Sequence, residues 1–144
     1  MIVDANVLIH AVNEASDFHL EAKGWLEDAL NGPSRVGLPW VSLTAFQRIT
    51  THPRAFTAPL SPAAAWLHVT EWLDTGQAWV PSPGERHAEI LGGLLVGGDL
   101  RGNLVTDAHL AALALEHGVG VASFDSDFAR FDGLRWINPL HEAR

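Results

Sequence analysis

The chain has 144 residues, 47% of them apolar and 18% charged, a balance that fits a folded domain of ordinary size and excludes both a disordered tail and a membrane span of about 20 apolar residues. Nine Lys and Arg against seventeen Asp and Glu leave a net charge of −8, so the surface as a whole repels phosphate backbones, and any nucleic-acid role needs a local answer to that repulsion. Cysteine is absent, which excludes disulfides, thiolate metal sites and a cysteine nucleophile.

Ile2 to Asp4 reads as a short buried strand ending in a carboxylate, and Asn6 to Val12 as the helix that follows it. Because Met1 to Asp4 lacks the charged and apolar regions of a signal peptide, a cytoplasmic protein is expected. From Asp17, read as an N-cap, Ala22, Trp25, Leu26 and Ala29 recur at helical spacing until Gly32-Pro33. Arg35 to Leu38 suits a short strand. Ser42 is expected to cap a helix with Leu43, Phe46 and Ile49 inward, ended by Thr51-His52-Pro53.

Ser61-Pro62 opens the next helix, with Ala65, Trp66, Val69, Trp72 and Leu73 inward and Gly76 as its stop. Ala78 to Val80 suits a strand, and Ser82-Pro83 is read as the cap of a helix carrying His87, Ile90, Leu91, Leu94 and Leu95 on its inner face up to Gly97-Gly98. Leu104, Ala108, Ala111, Ala112 and Leu115 trace a last helix that Gly118 ends. Val119 to Phe124 then suits a strand, and Arg135 to Ile137 an edge strand. Short strands alternating with helices predict an α/β layer fold with a mostly parallel sheet, in one domain spanning 1–144.

Four of the nine aspartates fall at informative places: Asp4 closes the first strand, Asp107 lies in the first turn of the last helix, and Asp125 and Asp127 follow the strand ending at Phe124. Ligands of open α/β sheets bind at the carboxyl ends of strands. Carboxylates gathered there raise one another's pKa unless a cation neutralises them, and an oxygen-only ligand set favours Mg²⁺ or Mn²⁺ over zinc. The plain alternative is helix-dipole and turn chemistry. The glycine pairs Gly92-Gly93 and Gly97-Gly98 lack the context of a phosphate-binding loop. A haloacid-dehalogenase-like phosphatase would need a second Asp two residues after Asp4, where this chain has Asn6.

Met1-Ile-Val-Asp-Ala-Asn-Val-Leu-Ile9, Leu38-Pro-Trp-Val-Ser-Leu-Thr-Ala-Phe46, Gly102-Asn-Leu-Val-Thr-Asp-Ala-His-Leu110 and Ser123-Phe-Asp-Ser-Asp-Phe128, in that order and spacing, closely resemble the PIN-domain family, and its VapC-type toxins most of all. The resemblance runs from Met1 to about Leu140. It implies a three-layer PIN-like fold and a Mg²⁺-dependent endoribonuclease that cuts cellular RNA when its cognate antitoxin is removed. Asp4 and Asp107 would be principal metal ligands, either or both of Asp125 and Asp127 would complete the site, and Asn6 and Thr106 would support it. A homodimer formed through the Trp-rich and Leu-rich helices is implied, as is an antitoxin that lays a segment over the site and presents a basic side chain to the carboxylates.

One departure stands out: where many PIN domains carry a Glu, this chain has Thr44-Ala45-Phe46, with no acid between Gly37 and Arg54. That leaves one metal or two open, and Gln47 and Arg48 are the polar residues at hand. Arg48, Arg54, Arg86, Arg101 and Arg130 are the candidate phosphate contacts, and Trp40 or His52 could stack on unpaired bases. His109, close to Asp107, suits packing better than ligation. Two other readings remain open: a catalytically impaired PIN fold that only binds RNA or protein, and an RNA-processing nuclease without a toxin role.

Overall fold

The structure, a computed structural model, describes residues 1–141; the last three residues of the expected domain lie outside them. Five two-residue strands, β1 (Ile2–Val3), β2 (Val36–Gly37), β3 (Ala78–Trp79), β4 (Val121–Ala122) and β5 (Trp136–Ile137), form one sheet in the order β3-β2-β1-β4-β5. Every pairing is parallel. Around the sheet lie the helices α1 (Ala5–Val12), α2 (His19–Leu30), α3 (Trp40–Thr50), α4 (Pro62–Leu73), α5 (His87–Gly97) and α6 (Leu104–His117), with a 3-10 turn at Ser126–Arg130 after β4.

Strand side chains alternate between faces, so β1, β4 and β5 each contribute to two cores. Val3 and Ala122 join Val7, Leu26, Leu43, Phe46 and Val69 on the side of α1 to α4. Their neighbours Ile2 and Val121 join Ala108, Ala111, Leu113 and Phe128 on the side of α5 and α6. Both sheet faces are therefore covered, which is why the strands read as apolar runs rather than as alternating ones. This is the expected three-layer α/β arrangement.

Two glycines are required by geometry. Gly118 ends α6 in the left-handed conformation, φ 68°, which glycine adopts at little steric cost. At Gly120 a Cβ would lie 2.7 Å from the Arg135 carbonyl oxygen, so only glycine lets β5 approach β4 this closely.

Several helix starts differ from expectation. Ser61 does cap α4, accepting from the Ala64 N–H at 3.1 Å, with Pro62 in the first turn. Ser42 does not cap α3: the helix begins at Trp40 after extended Pro39, and Ser42 turns into the core at 1% exposure. Asp17 does not cap α2: its N-cap is Phe18, which has no side-chain cap bond, and in the turn before it the Ser16 Oγ accepts from the Phe18 N–H at 3.0 Å. Ser82-Pro83 stays outside α5, which starts at His87. The Glu116 carboxylate accepts from the Gly84 and Arg86 N–H groups at 2.8 and 2.9 Å and holds that segment out of the helix. Trp66, expected inward, is 46% exposed and stacks on Trp40.

Candidate metal centre

The sheet order reverses direction between β1 and β4: the chain builds outward from β1 through β2 to β3, then crosses to β4 and β5. The crevice at the carboxyl ends of such a strand pair is where open α/β sheets place ligands. Asp4 follows β1 directly, its N–H donating to the Ala122 carbonyl at 2.9 Å. Ser123 follows β4, its N–H donating to the Ile137 carbonyl at 3.0 Å. The two residues at the head of the crevice are thus fixed by the sheet itself.

Ser123 ties the site together. Fully buried, its hydroxyl donates to Asp4 Oδ2 at 2.7 Å and accepts from Asn6 Nδ2 and from the Asp125 N–H, both at 3.0 Å. Asn6 Oδ1 in turn accepts from the Phe124 N–H at 3.2 Å, and Trp136 Nε1 donates to the Ser123 carbonyl at 2.9 Å. Asp4 Oδ1 accepts from the Ala5 N–H at 2.7 Å at the start of α1. Asp125 closes the 3-10 turn by accepting from the Asp127 N–H at 2.8 Å, and Arg130 Nη2 donates to Asp127 Oδ1 at 3.3 Å. Nothing in the sequence reading gave Ser123 a role. The available signal was its place: it directly follows β4, as Asp4 directly follows β1, and the two strands pair in parallel.

Asp107 arrives from the first turn of α6, whose N-terminus lies at this edge of the sheet. One carboxylate oxygen each from Asp107, Asp125 and Asp127 falls within 4.8 Å of the others. Asp4 lies beside this trio rather than in it, yet its charge acts on Asp107 and that of Asp125 acts on it. Burial pushes the Asp4 carboxyl above its ordinary value, while the hydrogen bonds from Ser123 and Ala5 oppose the rise. Asp107 is pushed up to about 6, by burial first and then by Asp125, Asp4 and Asp127, against the pull of Arg130. Hard oxygen donors that repel one another at this spacing are suited to a divalent cation such as Mg²⁺ or Mn²⁺, which would relieve the repulsion.

The flanking residues are distributed unevenly. Thr106 stands exposed beside Asp107, with no hydrogen bond from its hydroxyl among the described residues. His109 bonds His87 across 3.1 Å, joining α6 to α5. Arg101 pairs with Asp99 at 3.1 Å, both side chains open to solvent. Arg86 precedes α5 on the Glu116 clamp, and the Arg54 N–H donates to His52 Nδ1 in the turn after α3. Arg48 lines a separate cavity of about 370 Å³ with Trp40, Gln47 and Trp66. Among the described basic residues, Arg130 is the one whose charge acts on Asp107.

A parallel five-stranded sheet with an aspartate cluster at its switch point is the build of a PIN domain, and the PIN-domain family model matches residues 1–134. The chain belongs to that family. Among its relatives, ribonuclease VapC37 of Mycobacterium tuberculosis is 49% identical over 138 residues, 96% of each chain, and ribonuclease VapC33 of the same species is 39% identical over 142 residues, 99% of each chain. The fold is also that of VapBC2 from Rickettsia felis bound to a DNA fragment from its promoter, at TM-score 0.66 and 16% identity over 95% of this chain and 96% of that one. VapC20 of M. tuberculosis, described as a toxin that cleaves the sarcin-ricin loop, aligns at TM-score 0.63 and 22% identity over 93% and 98% of the two chains.

Proposed function

We propose that this protein is a Mg²⁺- or Mn²⁺-dependent endoribonuclease and the toxin of a toxin–antitoxin pair, hydrolysing RNA phosphodiester bonds at the aspartate cluster. The observation that carries the reading is the convergence of Asp107, Asp125 and Asp127 oxygens within 4.8 Å at the carboxyl edge of the sheet. The ribonuclease names of relatives 49% and 39% identical to the chain support it.

Asp107, Asp125 and Asp127 would hold the cation, with Asp4 beside them, its orientation set by Ser123 and Asn6. When bound, the cation supplies Lewis-acid chemistry, drawing charge from a phosphodiester oxygen and stabilising the leaving alkoxide. A carboxylate of the cluster accepts the proton of the attacking water, and Thr106 flanks it at the mouth.

The cognate antitoxin is the proposed protein partner, as solved relatives include toxin–antitoxin complexes. A homodimer is proposed through the Trp40, Trp66 and Leu67 surface, exposed at 47%, 46% and 57%. No helix among the described residues is long and apolar enough to cross a membrane, and a single-domain cytoplasmic protein is the reading in keeping with this.

The test is cleavage of total RNA by the purified chain with Mg²⁺, with chelator, and with Asp4→Asn and Asp107→Asn. Discrete cuts that require metal and both carboxylates are expected. Cuts that persist with chelator or in either variant overturn the metal reading. The stretch from Gly37 to Arg54 without an acid favours one second reading, a PIN fold that binds RNA without cutting it; binding by a well-folded chain that never cleaves would select it.

A further inference from the structure

Arg130 faces two places at once. On one side its guanidinium meets Asp127 through a single 3.3 Å contact and acts on Asp107. On the other it lines a cavity of about 310 Å³ between the end of α5 and the segment after β4, walled by Gly93, Gly97, Gly98, Leu100 and Phe131. Among the described residues the cavity's other charged residue is Asp132, so Arg130 is the one positive charge among them that lines it. A guanidinium offers five donors in a planar fork, and the Asp127 contact engages one of its nitrogens. The remaining donors are available to an anion.

The base of the side chain is held firmly. Arg130 sits between Phe128 and Phe131, buried at 0% and 5% exposure, whose rings pack at 6.0 Å. The side chain is 42% exposed, open enough to be reached, and its Asp127 contact orients it. Gly93 and Gly97 have no heavy atom within 4 Å of where a Cβ would sit, so the cavity wall there is bare backbone that a sugar or base can approach closely.

Resting on the nuclease reading above, we propose that Arg130 positions the substrate by binding the RNA phosphate next to the one at the carboxylates, and that the adjoining nucleotide occupies the cavity beside α5. Arg130 is the local answer to the repulsion that a chain of net charge −8 presents to RNA. Its approach to the neighbouring phosphate exchanges the single Asp127 contact for a bidentate one.

The test measures binding of a fluorescein-labelled, unstructured 20-nucleotide RNA to the full chain in an Asp4→Asn background, where cleavage is silenced, between 50 and 200 mM salt. Each phosphate contact on a single strand contributes about 0.7 to the slope of log affinity against log salt. Arg130→Gln is expected to reduce the slope by about 0.7 and to weaken binding about tenfold at 100 mM salt. Arg130→Lys is expected to keep the slope. Gly97→Leu, which fills the cavity at a position with steric room, is expected to weaken binding at unchanged slope.

An unchanged slope in Arg130→Gln, or equal losses in Arg130→Gln and Arg130→Lys with native melting profiles, overturns the assignment, as does full affinity in Gly97→Leu. Cleavage by the Asp4-containing chain with Mg²⁺ is run alongside. If it cuts RNA and the slope does not move, this inference fails alone. If it neither binds nor cuts, the nuclease reading fails and takes the inference with it.

Discussion

Without metal, the carboxylate cluster is a source of instability, and Asp107→Asn measures it. Asp107 is only partly buried and its carboxylate accepts no hydrogen bond among the described residues, so asparagine removes its charge while nearly preserving its shape. In the folded protein its carboxyl is raised from 3.8 to about 6. The native state therefore holds this proton more tightly than the unfolded chain does. Stability from the group is fully present below about pH 4 and is lost as pH rises to about 6. Taken at face value the rise corresponds to about 3 kcal/mol at 1.36 kcal/mol per pKa unit, and solvent screening at a partly exposed site reduces this to about 1 kcal/mol.

Asp107→Asn is therefore expected to raise the melting temperature of the metal-free protein at pH 7 by about 4 °C, and to leave it nearly unchanged at pH 4. Mg²⁺ is expected to reverse the ranking. At a hundred times its Kd, a cation stabilises the wild-type chain by about 2.7 kcal/mol, a gain that the variant largely loses. Thermal melts of both proteins at pH 4 and pH 7, with chelator and with Mg²⁺, test the whole cycle. A variant less stable than wild type in chelator at pH 7, or one that gains as much from Mg²⁺, would refute the reasoning.

Ser123→Ala leaves Asp4 Oδ2 and Asn6 Nδ2 without their shared partner, so it should cost about 1–3 kcal/mol in chemical denaturation and lower metal-dependent cleavage by about 10–100-fold; wild-type activity in this variant would remove Ser123 from the positioning scheme. Gly120→Ala drives a methyl group to 2.7 Å from the Arg135 carbonyl and is expected to destabilise the fold by about 2 kcal/mol, read as a lower urea midpoint with faster amide exchange at Trp136 and Ile137. Glu116 is held below the usual carboxylate range chiefly by the Gly84 N–H, and also by the Arg86 N–H, against burial. A depressed carboxylate contributes its stability above the unfolded value and loses it as pH falls through the folded one. Protection of the Gly84 and Arg86 amides should accordingly hold from pH 7 to pH 5 and vanish in more acidic solution, and in Glu116→Ala it should be missing throughout.

Elements whose signals are local were legible in the sequence. Gly118 and the Ser61-Pro62 pair end and begin helices through their own backbone chemistry, and both do so in the structure. The misplaced starts share a cause: Ser42, Asp17 and Ser82 all look like caps, but distant or competing groups decide their segments. Glu116, more than thirty residues downstream, holds Ser82-Pro83 out of α5. The core claims Ser42, and Ser16 claims the Asp17 turn. The convergence of Asp107, Asp125 and Asp127 could be anticipated because each sits at a strand end or helix start, where α/β topology sends side chains to one edge. Ser123 carried no such local mark, and Arg130 stood among five arginines read as candidate phosphate contacts; what singles it out is its contact with Asp127 across the turn.

The hydrogen bond between Ser123 and Asp4 joins residues 119 positions apart, which gives the crevice a place in the life of the polypeptide as well as in its shape. Asp4 precedes by that distance the serine that orients it, and the two aspartates beyond follow a few residues later still. At about 5–20 residues per second, a ribosome spends several seconds on a chain whose aspartate cluster is still unassembled. During that interval Asp4 is held by neither the Ser123 hydroxyl nor the Ala122 carbonyl, because neither residue has yet been made. The crevice is thus completed only after β1, β2, β3 and α1 to α6 have been made.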